Sequence, residues 1–160
     1  MRKLMVGVVA VVLLLAAVAS AKQANKGPRL NGSFRMTATI LSNDIGIQPG
    51  SVTTDVYVFK SSCGKGGCPS VGLTRESGDR NVKSTLKKTA PGVYKGTEGP
   101  EPYVCVNPIG TPGTFTGDHK ITVTKAKNGK AQKISGKLVI HISGCTETIE
   151  EVSLKGKLTQ

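Results

Sequence analysis

Alternation with a period of two runs through almost the whole chain after residue 30, and it leaves few folds open. Phe34, Met36, Ala38 and Ile40 alternate with Ser33, Arg35, Thr37 and Thr39, which puts apolar side chains on one face of a strand and polar ones on the other. The pattern returns in Val56 and Val58 between Asp55, Tyr57 and Phe59, in Val71 and Leu73 beside Thr74 and Arg75, and in Val82 and Leu86 among Lys83, Thr85 and Lys87. Further along it marks Ile121 and Val123, then Ile134, Leu138, Ile140 and Ile142 opposite Ser135, Lys137 and His141. Val152, Leu154, Gly156 and Leu158 close the series opposite Glu151, Ser153, Lys155 and Lys157. No segment here sustains a 3.6-residue period with caps, so no long helix is expected.

Turn residues punctuate these runs at Pro49-Gly50, Ser77-Gly78-Asp79, Pro91-Gly92, Gly99-Pro100, Pro108 to Gly113 and Asn128-Gly129. Asn-Gly between two alternating strands is a strong hairpin signal, because both residues tolerate the positive φ of a type I′ turn. Lys120 to Lys127 should therefore pair antiparallel with Gln132 to Ser143. Short connections throughout predict an all-β domain: a single antiparallel meander of about eight or nine strands, closed as a barrel or folded as a β-sandwich. A small barrel either holds one small ligand or fills its interior with side chains. Filling by Met36, Ile40, Val58, Leu86, Val123, Leu138, Ile140 and Leu154 is the favoured expectation.

The first residues have a different character. Arg2 and Lys3 precede an apolar run from Leu4 through Val18, followed by the small residues Ala19-Ser20-Ala21, the layout of a cleavable secretory signal over 1–21. Its apolar core is shorter than the roughly 20 residues a membrane span needs, so the mature protein is expected to be secreted and not to span a membrane. Residues 22–30, with Gly27 and Pro28, read as a flexible tether, and 31–160 as one domain.

Secretion places four cysteines in an oxidising space. Cys63 and Cys68 flank the turn-forming Gly-Lys-Gly-Gly and are expected to bridge locally, leaving Cys105 for Cys145; the other two pairings remain open. Cys105 and Cys145 lie out of phase with Val104, Val106, Ile140 and Ile142, so they are expected to meet on an outer or end face. A metal site built from Cys63, Cys68, His119 and His141 competes poorly with disulfides in a secreted chain, and no metal or cofactor is expected.

The chain holds 22 basic residues against 10 acidic ones. Removing Arg2 and Lys3 leaves 20, a mature charge of about +10 that favours polyanions such as acidic wall polymers, anionic lipid headgroups or acidic glycans. Lys83, Lys87 and Lys88 are the candidate contacts. The competing explanation is that spread lysines keep the protein soluble and guard sheet edges. Nucleic acid is not an expected partner, because three Tyr, three Phe and no Trp provide few platforms for base stacking.

Catalytic signals are sparse. The chain has no Gly-x-Ser-x-Gly elbow, and Asp118-His119 lacks an evident serine partner. Glu147, Glu150 and Glu151 precede the last strand, and paired carboxylates can act on sugars, but a solvated acidic turn is the commoner meaning. Asn31-Gly32-Ser33 fits the N-glycosylation pattern. The reading is a secreted, non-enzymatic binding or cell-surface interaction module of unknown ligand. The alternatives are a lipocalin-like carrier of a small apolar molecule and, third, an extracellular enzyme acting on acidic polymers.

The order Val56-Tyr57-Val58-Phe59, Cys63 to Cys68, Val71-Gly72-Leu73-Thr74-Arg75, Gly92-Val93-Tyr94-Lys95-Gly96, Cys105, Ile121-Thr122-Val123-Thr124 and Ile134-Ser135-Gly136 resembles a family of uncharacterised secreted, disulfide-containing domains of high-GC Gram-positive bacteria. That resemblance implies a β-barrel-like extracellular module with no established activity. More broadly, Asn31-Gly32-Ser33-Phe34 is similar to the Gly-x-Trp that opens lipocalin and avidin-like barrels. Without any Trp, a biotin-type site of stacked indoles is not implied.

Overall fold

Eight antiparallel strands close into one barrel in simple meander order. The computed structural model describes residues 27–43, 47–64, 67–77, 80–105, 108–146 and 149–159; the expected signal peptide lies outside them. The strands are β1 (Gly32–Asn43), β2 (Val52–Gly64), β3 (Gly67–Ser77), β4 (Arg80–Ala90), β5 (Val93–Val104), β6 (Pro112–Lys127), β7 (Lys130–Ser143) and β8 (Ile149–Leu158). The ring closes between β1 and β8, from Phe34↔Leu158 to Asn43↔Glu150. Closure pairs the first strand with the last, so neither is left as an edge strand.

The predicted hairpin is present, with β6 and β7 joined through Asn128 and Gly129 at φ of 50° and 71°. Gly99-Pro100, expected as a turn, instead lies inside β5. There the pairing to β6 shifts register between Glu98 and Glu101.

The alternating faces point as anticipated in β1, β3, β7 and β8. In β2 the phase is the reverse of the expectation. Tyr57 and Phe59 are buried at 1% and 2% exposure, whereas Val58 faces outward. Two aromatic rings bury far more apolar area than two valines, and Phe34 meets Phe59 edge-on at 5.6 Å between ring centroids. Val123 and Ile140 are only partly buried against the core.

One end of the barrel is shut. Residues 22–26 of the expected tether lie outside the described residues, but Gly27–Leu30 lie against the barrel. Leu30 is fully buried beneath it. Arg29 N–H donates to Gly129 O at 2.8 Å and Arg29 O accepts from Ala131 N–H at 2.9 Å. Tyr94 Oη donates to Pro28 O at 3.0 Å and Ser61 Oγ to Leu30 O at 2.8 Å. Below this plug the interior is filled by Phe34, Met36, Phe59, Leu86, Tyr94, Ile121 and Leu154 among others. The other end is the mouth.

Cys63–Cys68 bridges the β2–β3 connection, and Cys105–Cys145 ties the end of β5 to the segment before β8 at the mouth. Cys105 is 2% exposed while its neighbour Val104 is 63% exposed. The second bridge thus meets at an end of the barrel as expected, but with the cysteine buried and Val104 facing solvent.

Candidate functional site

Outward side chains on neighbouring antiparallel strands stand side by side, with paired Cα atoms about 4.5–5.5 Å apart. In this barrel the register aligns cations. Arg35 is opposite Lys157, Lys157 is opposite Lys133, and Lys133 is opposite Lys125. A second row runs Lys87, Lys95, Lys120 and Lys137 across β4 to β7. All eight are exposed. Like charges directly opposite one another destabilise a sheet, so the two rows act against folding.

Above the first row a groove of about 780 Å³ is lined by Arg35, Lys133, Lys155 and Lys157 together with Thr37, Thr124 and Ser135. Four cationic residues and three hydroxyl-bearing ones therefore border one surface depression, together with Ile134 and Gly156.

Of the three lysines singled out from sequence, Lys87 belongs to the second row. Lys83 is on the same strand face but opposite Thr74, nearer the mouth. Lys88 is half-buried with its ammonium 5.8 Å from the Tyr94 ring centroid, and burial lowers its pKa. The three do not form one cluster. What the sequence reading missed is that residues far apart in the chain line up across strands. The signal was present in the Lys-x-x-x-Lys spacing of β7 (Lys133, Lys137) and the Lys-x-Lys of β8 (Lys155, Lys157), but only the register says which of them adjoin.

Inside the barrel, midway between plug and mouth, lies a polar cluster. Glu98 on β5 is 1% exposed. Its Oε1 accepts from Arg75 Nη2 at 2.8 Å and its Oε2 from Arg75 Nε at 3.4 Å, while His119 Nε2 lies 2.9 Å from Oε2. His119 is 3% exposed and meets the Tyr57 ring edge-on at 6.0 Å. Burial alone would raise the Glu98 carboxyl. The hydrogen bond and charge of His119, with those of Arg75, outweigh it and hold the group below its ordinary value. Burial pushes the Tyr57 phenol well above its usual range.

The cluster is not completely satisfied. His119 Nδ1 and Ser84 Oγ are buried without a hydrogen-bond partner among the described residues, and each such atom costs about 1–3 kcal/mol. From sequence, His119 was a neighbour of Asp118 and a member of the disfavoured metal set with Cys63, Cys68 and His141, not an interior residue. Its inward phase with Ile121, like that of Arg75 with Val71 and Leu73, was legible from the alternation itself.

No known family, curated protein or solved structure matches this chain. The site must therefore be judged on its geometry.

Toward the mouth the cluster meets a cavity of about 210 Å³ lined by Arg75, Val82, Tyr103, Phe115, Ile140, Ile142 and Glu150. Glu150 is half-buried; burial raises its pKa, against the pull of Arg75. Glu151 faces outward and pairs with Lys137 at 2.7 Å. The two carboxylates thus diverge, and Glu147 lies outside the described residues. Among the described residues no group of three His, Cys, Asp or Glu side chains could hold a metal. His141 is exposed, 3.4 Å from Asp118, and the Asn31 side chain, at an exposed position, accepts from Ser61 N–H at 3.2 Å.

Proposed function

We propose that this protein is a secreted, non-enzymatic binding module that attaches to an anionic polymer through the outer face of β1, β6, β7 and β8. The observation that carries this reading is the alignment of Arg35, Lys157, Lys133 and Lys125 in one row across four strands. Solubility needs lysines but not lysines stacked against each other, since interspersed charges serve that purpose without the repulsion. A chain of repeated sulfate, phosphate or carboxylate groups would relieve the repulsion and release bound counterions. The groove that Thr37, Thr124 and Ser135 also line adds hydroxyl donors to the cations.

Charge distribution fits the same reading. Apart from Lys83, the exposed cations of the strands gather on the plugged half, while Asp55, Glu76, Glu101, Asp118, Glu150 and Glu151 lie at the middle or toward the mouth. Attachment by the basic half turns the open end away from the polymer.

The test is elution from a sulfated polysaccharide resin in a salt gradient. Lys133→Glu with Lys157→Glu should elute at markedly lower salt than wild type, and Lys60→Glu with Lys83→Glu, the same change of charge outside both rows, should shift it little. Equal shifts for the two would reduce the effect to net charge and reject a defined face.

A further inference from the structure

The wall of the barrel is incomplete on one side of the mouth. Pairing between β4 and β5 runs from Ala90↔Val93 to Ser84↔Glu98 and stops there, among the described residues. Beyond that point β5 reads Gly99-Pro100-Glu101-Pro102. Two prolines without N–H groups cannot supply a full ladder on both edges. β6 takes what pairing remains, through Glu101↔Phe115 and Pro102↔Thr114. A slot of about 380 Å³ opens between the separated strands, lined by Asn81, Val82, Glu101, Pro102 and Phe115. It shares Val82 and Phe115 with the cavity at the mouth.

The cavity and its side opening carry a definite chemistry. The walls are Val82, Phe115, Tyr103, Ile140 and Ile142, an apolar and aromatic surface. The charges do not balance. Arg75 lines the cavity, but its two hydrogen bonds commit its charge to Glu98. Glu150 lines the cavity and Glu101 the slot, and neither has an ion-pair partner among the described residues. Glu150 and Glu101 are therefore the carboxylates of this space that Arg75 and His119, both hydrogen-bonded to Glu98, do not pair.

From the apolar cavity, its side slot and the unpaired Glu150, we infer a binding site for a small primary amine with a compact apolar body. The ammonium pairs with Glu150, and the body lies between Ile140, Ile142, Val82 and Phe115. Phe115 and Tyr103 line the same cavity, and aromatic rings attract a cation. Entry is through the slot, past Glu101. The volume sets the size: about 210 Å³ is below the roughly 300–1,000 Å³ of sites for drug-sized ligands, which limits the guest to a single ring or a short branched chain. This site lies on the opposite half of the barrel from the basic rows and does not depend on the attachment proposed above.

Three probes of one skeleton and different charge test it: benzylamine, benzyl alcohol and benzoate, titrated into the full mature protein and followed by amide chemical shifts. Benzylamine should perturb residues around Phe115, Ile140 and Ile142, and bind at least tenfold tighter than benzyl alcohol or benzoate. Glu150→Gln, at an unchanged melting temperature, should remove that preference. Ile140→Phe, which fills the cavity from a half-buried position, should abolish binding of benzylamine while Glu150 is intact. Benzoate binding as tightly as benzylamine would move recognition to Arg75 and overturn the inference. So would shifts confined to the outer surface, the absence of binding by all three probes, or a Glu150→Gln variant that still prefers the amine.

Discussion

Gly117 and Glu98 occupy the same small volume inside the barrel: a methyl group at Gly117 would lie 2.8 Å from Glu98 Cγ and 2.9 Å from its Oε1. The missing side chain on β6 is what allows a carboxylate on β5 to turn inward and reach both Arg75 and His119. A Cβ there would also stand 2.9 Å from Leu138 Cδ1, so Glu98 and Leu138 would both have to shift. Gly117→Ala should therefore destabilise the protein by about 1–3 kcal/mol, the usual range for overpacking a filled interior. Urea unfolding checks this, and an unchanged midpoint would mean that Glu98 can move aside without loss.

Glu98 also sets an acid limit on stability. Its folded pKa is depressed by His119 and Arg75 against the effect of burial, so it binds a proton less readily folded than unfolded. Its contribution is present in full above the ordinary glutamate value of about 4.3 and is lost as pH falls from there through the lower, folded value. Glu98→Gln should cost about 3–5 kcal/mol at neutral pH, because the Arg75 charge is left buried and unpaired. It should also flatten the stability profile below about pH 5, where the wild type falls. Denaturant midpoints measured across that range test both effects. Replacing all three residues by apolar ones, Arg75→Met with Glu98→Leu and His119→Leu, should be neutral or stabilising by about 1–4 kcal/mol. A large loss from the triple variant would show that the cluster is a net source of stability.

Lys157 is flanked by Arg35 on β1 and Lys133 on β8's other neighbour, β7. Lys157→Glu turns two repulsive cross-strand pairs into attractive ones, each worth about 0.2–1 kcal/mol. The single variant should thus be more stable than wild type at low salt and bind sulfated polymer less well. The stability gain should shrink as salt screens it. A variant that lost stability would remove the argument that the rows oppose folding.

The two disulfides should differ in weight. Cys105 and Cys145 are 40 residues apart in sequence, and Cys63 and Cys68 only 5. In the chain-entropy picture the first bridge is worth about 4 kcal/mol and the second about 2. Paired Cys→Ser variants compared by denaturant unfolding should show that order. The Cys105/Cys145 pair should also loosen the mouth, which hydrogen exchange around Thr111 and Ser143 would report. Equal losses would point to a denatured state already compact around the longer loop.

Much of the molecule was written in local pattern. Alternation every second residue, interrupted by Pro-Gly and Asn-Gly, determined strands, hairpins and meander order, because side-chain phase and turn conformation are properties of a few adjacent residues. The cysteine spacing pointed to the two bridges, and the phase of Val71, Leu73 and Arg75 already aimed an arginine inward. Tertiary structure decided the rest. Whether Tyr57 and Phe59 or Val56 and Val58 face inward depended on which pair buries more area against Phe34. Gly99-Pro100 looked like a turn and became a bulge within β5, which keeps its pairing to β6 on one edge while its pairing to β4 on the other ends at Glu98. The cation rows, and the meeting of Arg75, Glu98 and His119, depend on register between strands remote in the chain. Register is set by closure of the whole barrel, where shifting one strand by a residue would expose its buried face, and no single segment carries that information.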